Sequence, residues 1–438
     1  MENQRKKLVV GIIREDNENE KRAAISPDDV RWLIDKGIEV EVESSPNRIF
    51  SDKEYAQAGA KIINRVQKAS FLVGVKAPTP ANIISDKAYM IFSHAIKGQE
   101  DNIPLLEEMI RKGVTLLDHE KIRDTRGRRL VFFGRFAGIC GFVDSLSFYG
   151  RKMKQRGIQT PFLKLKPSWK YASLEVLKKD MFKIGGLIRK KGISKRLTPF
   201  IIGVIGRGNV GRGIQEMLGI WDSVEVHPRD MRSFIRRRSH DNKKIYSIVF
   251  YREEKLCAKN GKKFYFEEYL KSPENFESNM SKYLPKLNML FNASYWDFHY
   301  PRMVTKKMIR KMFLSKKPRL NFIADLSCDI GGSVELTYKT TTIRRPVYTY
   351  DPLTDTYRDG YKTKGITMFA IDNLPSELPR DSSENFSKLV REYVYQIAAH
   401  GSLNITEHVA IPAELRRAVV TQAGELTENY QYLRKYLY

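Results

Sequence analysis

The sequence of 438 residues contains three cysteines, Cys140, Cys257 and Cys328. They lie far apart, at spacings that match neither a disulfide framework nor a zinc site, so no metal is expected and each cysteine reads as a small buried hydrophobe of a reducing compartment. Long apolar runs are missing as well: none approaches the ~20 residues that cross a bilayer, and no membrane span is expected. After the basic start "MENQRKK", the apolar run Leu8 to Ile13 ends at Arg14, too short for a readable signal peptide. A mitochondrial-matrix or cytoplasmic location is the expectation. Internal repeats and low-complexity linkers are also absent.

Acid is in short supply, but only in one place. The net charge is +26. Residues 151–320 hold 40 Lys and Arg against 14 Asp and Glu, while the rest of the chain holds 37 of each. With 42% hydrophobic residues, the chain can still build two or three packed domains.

Short apolar runs alternate with amphipathic stretches through the first third, the pattern of βα units and a parallel sheet. Strands are expected at 8–13, 39–43, 71–75, 89–94 and 114–118. Between the first two, Ser26 caps a helix, Pro27 takes its first position, and Gly37 stops it. Ser51 and Glu54 form a capping-box pair for the next. A helix is expected from about Arg135 to Lys154, then a Pro- and Lys-rich stretch at 159–170, then a helix at 173–186. Further strands are expected at 199–206, 223–226, 246–251, 289–293 and 321–327, and the tail segments 382–401 and 413–424 read as helices.

The stretch "IIGVIGRGNVG" (201–211) joins a strand to a helix through glycines spaced GxGxxG. In a dinucleotide-binding turn Gly206 allows the tight bend, Gly208 lets backbone approach a pyrophosphate, and Gly211 lets the helix pack on the sheet. The same spacing also serves a glycine-rich structural turn. The strand at 223–226 ends at His227 and Arg229 rather than at an acid, which favours the 2′-phosphate of NADP(H) over the bare ribose of NAD.

Seven ordered segments carry a resemblance: "REDNENEKRAAISP" (14–27), "GVKAPTP" (74–80), "FSHAIKGQEDN" (92–102), "LLDHEKIRDTRGRRLVFFGRFAG" (116–138), "SYWDFHYPRMVT" (294–305), "ADLSCDIGGSVE" (324–335) and "IDNLPSELP" (371–379). Together they resemble the lysine-ketoglutarate reductase domain of aminoadipic semialdehyde synthase and, more distantly, alanine dehydrogenase and transhydrogenase. The resemblance implies an α/β fold of two domains: a Rossmann-type doubly wound parallel sheet at 136–372, and an alanine-dehydrogenase-like N-terminal substrate domain at 1–135 completed by C-terminal helices in 373–438. It implies reductive condensation of lysine with 2-oxoglutarate to saccharopine by NADPH, in a cleft between the domains. By matching motif positions, Arg22 corresponds to a substrate-carboxylate arginine, Lys76 and His94 to a proton-handling pair, and Asp329, with Asp325 beside it, to an acid at the nicotinamide end. Each also has a plainer reading, as a surface charge, a structural histidine, or an arginine paired with Glu18 or Glu20. Tyr295, Trp296 and Arg302 either line the substrate side or pack the sheet end.

Binding such small anions needs a handful of cations. The surplus falls in the runs 151–156, 188–196, 229–238 and 306–319, interleaved with aromatics, the pattern of phosphate-backbone binding. A second expectation therefore stands beside the enzyme: a reductase-like protein recruited to a ribonucleoprotein, with nucleic acid or an acidic protein as partner of 151–320. Retention of Arg22, Lys76, His94, the loop glycines and Asp329 favours the enzyme.

Overall fold

A computed structural model describes residues 7–437 apart from Gln67, Arg238, Lys316, Lys317 and Thr363 and the side chain of Lys97. The chain divides into two units, 1–133 with 379–438, and 134–378.

In the first unit, strands β1 (Val10–Ile12), β2 (Val40–Glu43), β3 (Lys61–Ile63), β4 (Phe71–Lys76), β5 (Ala88–Phe92) and β6 (Thr115–Asp118) pair in parallel in the order β6-β5-β4-β1-β2-β3. Strands β1, β2 and β6 are buried along their whole length and β4 and β5 along all but their last residue, the pattern of a parallel sheet covered on both faces. Helix α1 (Pro27–Asp35) begins where Ser26 Oγ accepts the Asp29 amide, and α2 (Asp52–Gln57) begins at a complete Ser51/Glu54 capping box. Helix α3 (Ile103–Arg111) follows β5. The helix Pro379–His400 lays Phe386, Val390, Val394 and Ile397 into the core with β1 and β2. It is stitched to the α1 entry by hydrogen bonds from Ala23 N to Ser383 Oγ and from Ser26 N to Ser387 Oγ, both 2.9 Å.

The tail from 413 on departs from the sequence reading. Only Ala413–Arg416 is helical; Val419–Gln422 is a strand antiparallel to β6, Glu425–Leu426 extends the sheet, and 3-10 turns follow over Glu428–Tyr436. Val419, Val420 and Thr421 are β-branched and find the open edge of β6, a tertiary pairing that outweighs the helical spacing around them.

The second unit opens with α4 (Gly134–Gln155), buried on almost every side, and α5 (Leu174–Lys191). Its sheet takes β7 (Phe200–Ile205), β8 (Val224–Glu225), β9 (Ile245–Phe250), β12 (Met289–Asn292), β13 (Phe322–Asp325), β14 (Val347–Asp351), β15 (Thr356–Asp359) and β16 (Ile366–Phe369) in the order β15-β14-β16-β13-β12-β7-β9-β8. Strands β8 to β16 pair in parallel across β9, β7, β12 and β13, and β14 runs antiparallel to both its neighbours. A separate hairpin pairs β10 (Leu256–Ala258) with β11 (Phe276–Ser278). Helices α6 (Asn209–Gly219), α7 (Met231–Arg236), α8 (Arg252–Lys255), α9 (Phe266–Lys271) and α10 (Lys306–Leu314) complete the unit. Among the described residues, no helix is long and apolar enough to cross a membrane. Of the cysteines, Cys140 is buried but Cys257 and Cys328 are only partly so.

Helix α4 meets α6 backbone to backbone. A Cβ at Gly138 would lie 2.0 Å from the Val210 carbonyl oxygen, and one at Gly213 would lie 2.1 Å from that of Arg135. Gly186 in α5, by contrast, has nothing within 4 Å of such a position. In urea unfolding, Gly138→Ala is therefore expected to destabilise by about 1–3 kcal/mol through overpacking. Gly186→Ala is expected to stabilise by about 0.5–1 kcal/mol through helix propensity.

Candidate functional site

The glycine turn sits between β7 and α6. Gly206 has φ +108°, and a Cβ there would lie 2.4 Å from the Ala293 carbonyl oxygen, so the position requires glycine twice over. A Cβ at Gly211 would lie 2.2 Å from the Gly206 carbonyl oxygen, which sets how tightly α6 closes on the turn. Gly208, the N-cap of α6, has no such neighbour: its missing side chain opens onto free space. One glycine of the three thus serves access rather than packing. A pocket of about 690 Å³ lies over it, lined by Gly206, Arg207 and Gly208, by Tyr251 to Glu253 after β9, and by Ser294 and Tyr295 after β12. Free helix-terminal N–H groups facing such a pocket fit the pyrophosphate of a dinucleotide.

The strand order corrects one sequence expectation. His227 and Arg229 follow β8, but β8 is the edge strand and β9 stands between it and β7. The residues that border the glycine turn are accordingly Tyr251, Arg252 and Glu253, with the Arg207 guanidinium 4.2 Å over the Tyr251 ring and that of Arg252 4.1 Å over Phe266. Chain order hid this, because β8 comes first in sequence. Arg229 instead lies 3.4 Å from the buried Glu254 carboxylate, and His227 4.0 Å from it.

In the first unit, β4 and β5 are neighbours, and the Lys76 and His94 side chains meet beyond their ends with Nζ 3.3 Å from Nε2. Two carboxylates missed in the sequence shape this pair. Glu15 accepts the amides of Val75 and Lys76 at 2.7 and 2.9 Å, and burial pushes its carboxyl up to about 7. Asp118, buried at the end of β6, accepts both the amide and the hydroxyl of Ser93, at 3.2 and 2.5 Å. That clamp sits directly before His94, whose left-handed backbone at φ +56° costs about 1 kcal/mol. A carboxylate one strand away thus holds the imidazole in its turn. A pocket of about 250 Å³ opens in front of Lys76 and His94.

Arg22 is buried and grips Glu20 through Nε (2.7 Å) and Nη2 (2.6 Å), with its guanidinium 4.3 Å over Phe133. The plainer sequence reading of an arginine paired with Glu20 is what the geometry contains. Asp325 is fully buried and takes hydrogen bonds from Asn292 Nδ2, Thr337 Oγ1 and both the amide and hydroxyl of Ser327, so it braces the loop after β13 instead of presenting itself to a ligand. Asp329 lies four residues further along that loop, partly buried, near where Gly331 N donates to Thr337 O and Arg302 Nε to Gly331 O. Trp296 Nε1 donates to Tyr300 O, while Tyr295 is exposed.

Residues 11–140 match the family described as alanine dehydrogenase/PNT, N-terminal domain, and residues 277–429 match its C-terminal domain, between them more than half of the chain. The chain belongs to the alanine dehydrogenase/PNT family. Alpha-aminoadipic semialdehyde synthase, mitochondrial, of Mus musculus is 31% identical over 98% of this chain and 48% of its own length. The chain thus spans about half the length of that relative. Saccharopine dehydrogenase [NAD(+), L-lysine-forming] of Emericella nidulans is 26% identical over 86% of this chain and 89% of its own. Among solved structures, an L-alanine dehydrogenase superposes with a TM-score of 0.63 at 18% identity, covering 98% of this chain and 99% of that one, a likeness of fold. Members of the alanine dehydrogenase/PNT family are nicotinamide-dinucleotide-dependent oxidoreductases.

On this family fold, part of the basic excess is structural. Lys152 is buried and donates to Gly365 O and Thr367 Oγ1, and burial drives its ammonium well below the ordinary lysine value. Arg319 donates to the carbonyls of Leu197, Thr198 and Pro199, Arg310 to those of Pro352 and Leu353, and Lys306 pairs with Asp355 at 2.8 Å. The last turn of α5 carries Arg189, Lys190 and Lys191, where a helix favours cations. Arg238, Lys316 and Lys317 of the basic runs lie outside the described residues.

The groups beneath the Lys76 and His94 pair titrate in opposite senses. Burial lowers His119, whose Nε2 lies 3.1 Å from Gly74 O, to about 4, and raises Asp118 to about 6. Below its ordinary value of about 6.5 an unfolded histidine takes up a proton that the folded one refuses, so His119 withdraws stability as pH falls toward 4. Asp118 and Glu15 keep their protons longer when folded, so each adds stability as pH falls through its folded value toward 4. Urea melts of His119→Phe at pH 7 and 4.5 should expose the acid half of this balance. The parent minus variant difference is expected to move against the parent by about 2–3 kcal/mol on acidification.

Proposed function

We propose that the chain reduces the imine formed between the ε-amine of L-lysine and the keto carbon of 2-oxoglutarate, giving saccharopine, with NADPH as reductant. The observation that carries this reading is the Lys76 and His94 contact at 3.3 Å beside a small open pocket, in a chain 31% identical across 98% of its length to an aminoadipic semialdehyde synthase. Condensation of an amine with a ketone needs protons moved twice at near-neutral pH: off the attacking nitrogen, and onto the departing hydroxyl. Two basic nitrogens in contact, one an amine and one an imidazole, suit that exchange. Glu15, raised toward neutrality behind the Lys76 amide, sets the field they work in. Arg22 is the proposed partner of a substrate carboxylate. Glu20 holds its guanidinium in a fixed orientation.

The glycine turn supports the cofactor part of the proposal. When bound, the reduced nicotinamide supplies the hydride. Arg207 and Arg252, at the turn and after β9, are the proposed contacts of a 2′-phosphate, in place of His227 and Arg229. The Asp329 loop is the proposed boundary of the nicotinamide end. The charge of 151–320 carries no separate reading as a nucleic-acid face, because several of its cations hold carbonyls, acids or the core.

NADPH oxidation by the purified chain should require lysine and 2-oxoglutarate together; failure to turn over with cofactor bound would sink the proposal. Lys76→Met is expected to lower kcat by about two orders of magnitude or more while cofactor binding, read by NADPH fluorescence, persists. Arg252→Ala should raise the KM for NADPH about tenfold and leave that for NADH unchanged. An equal effect on both would remove Arg252 from the 2′-phosphate.

A further inference from the structure

Arg229 lines a second pocket, of about 1010 Å³, which shares Phe264 and Phe266 with the pocket at the glycine turn. Five cations line it: Arg229 and Arg232 after β8, Lys263 before α9, and Lys282 and Lys286 in the turns leading to β12. Arg232, Lys282 and Lys286 crowd one another. Burial, then Arg232, then Lys282 hold the Lys286 ammonium below its ordinary value, as like charges gathered together do. The opposite wall is aromatic, with Tyr265 and Phe266 exposed to the pocket.

The floor holds one group that contradicts a simple anion trap. Glu254 is 4% exposed, and neither of its carboxylate oxygens accepts a hydrogen bond, although Arg229 Nε stands 3.4 Å away. A buried carboxylate without donors is costly, and a ligand that brings N–H or O–H groups relieves it. Inorganic phosphate or pyrophosphate at neutral pH would satisfy the cations and repel Glu254. The three features together require a molecule that is anionic at one end, flat in the middle, and a hydrogen-bond donor where it meets Glu254.

We propose that this pocket is a second nucleotide site, separate from the dinucleotide groove, which takes a nucleoside polyphosphate. Its phosphates lie among Arg232, Lys282 and Lys286, its base stacks on Tyr265 and Phe266, and ribose hydroxyls or a base amino group donate to Glu254. The wall it shares with the groove carries Glu253, Phe264 and Phe266, so the two sites stand back to back.

Calorimetric titration of the full chain with ATP in EDTA, and separately with pyrophosphate, tests this, each with and without saturating NADPH. ATP is expected to bind at one per chain, at least about tenfold more tightly than pyrophosphate, and to the same extent with NADPH present. Arg232→Ala with Lys286→Gln should weaken ATP about tenfold or more and leave NADPH binding intact. Glu254→Gln, an isosteric change, should narrow the gap between ATP and pyrophosphate. One-for-one displacement of ATP by NADPH would overturn the proposal by making the pocket the outer end of the dinucleotide groove, and equal affinity for ATP and pyrophosphate would reduce it to a basic patch. NADPH binding is read independently, so loss of ATP binding alone leaves the oxidoreductase reading untouched.

Discussion

The second unit depends on backbone touching backbone. Gly206 and Gly211 close the turn after β7, and Gly138 and Gly213 let α4 lie against α6 at a distance no side chain permits. These contacts leave no slack. They fix where α6 begins, and hence the direction of its free amides, while Gly208 alone is left to face open space. Dense packing on one side of the turn and vacancy on the other are two halves of one arrangement. A methyl group on the packed side would shift the helix whose end forms the pocket.

The charge distribution follows a similar division. Some cations of the central region are structural fasteners, capping carbonyls as Arg319 does or buried outright as Lys152 is. Others converge on two adjoining pockets that meet at the segment 264–266. Part of the surplus is therefore structural and part lines pockets. In the first unit the acids take the structural part: Glu15, Asp118 and Glu20 hold the segments that carry Lys76, His94 and Arg22.

Much of this was legible in the residues. The glycine spacing, the caps of α1 and α2 and the parallel-strand runs all depend on local chemistry that a few neighbouring residues express. Lys76 and His94 were marked by the family resemblance, and their position at the ends of apolar runs supported it. Glu15 and Asp118 were not, since nothing in "GIIRED" or "LLDHE" tells that their carboxylates turn inward to take amides from another strand. The placing of His227 and Arg229 beside the glycine turn shifted for a related reason. Strand order in space need not follow order in the chain, and here β9 passes inside β8. Strands β14 to β16 lacked a readable signal because their sequence mixes Pro, Lys, Asp and Gly with Tyr and Thr, and their pairing is decided by the sheet they join.

The first unit is assembled from two stretches of chain that flank the whole of the second. Its helix Pro379–His400 fills the core beside β1, and its strand Val419–Gln422 covers β6. During synthesis, then, the N-terminal sheet stands with an uncovered edge and a partly open core while the intervening unit emerges and folds as one continuous piece. Long-range pairing of this kind is slow and leaves sticky surface exposed. The nascent chain is most vulnerable to aggregation at β6, and a chaperone that shields this edge would act before any ligand can bind.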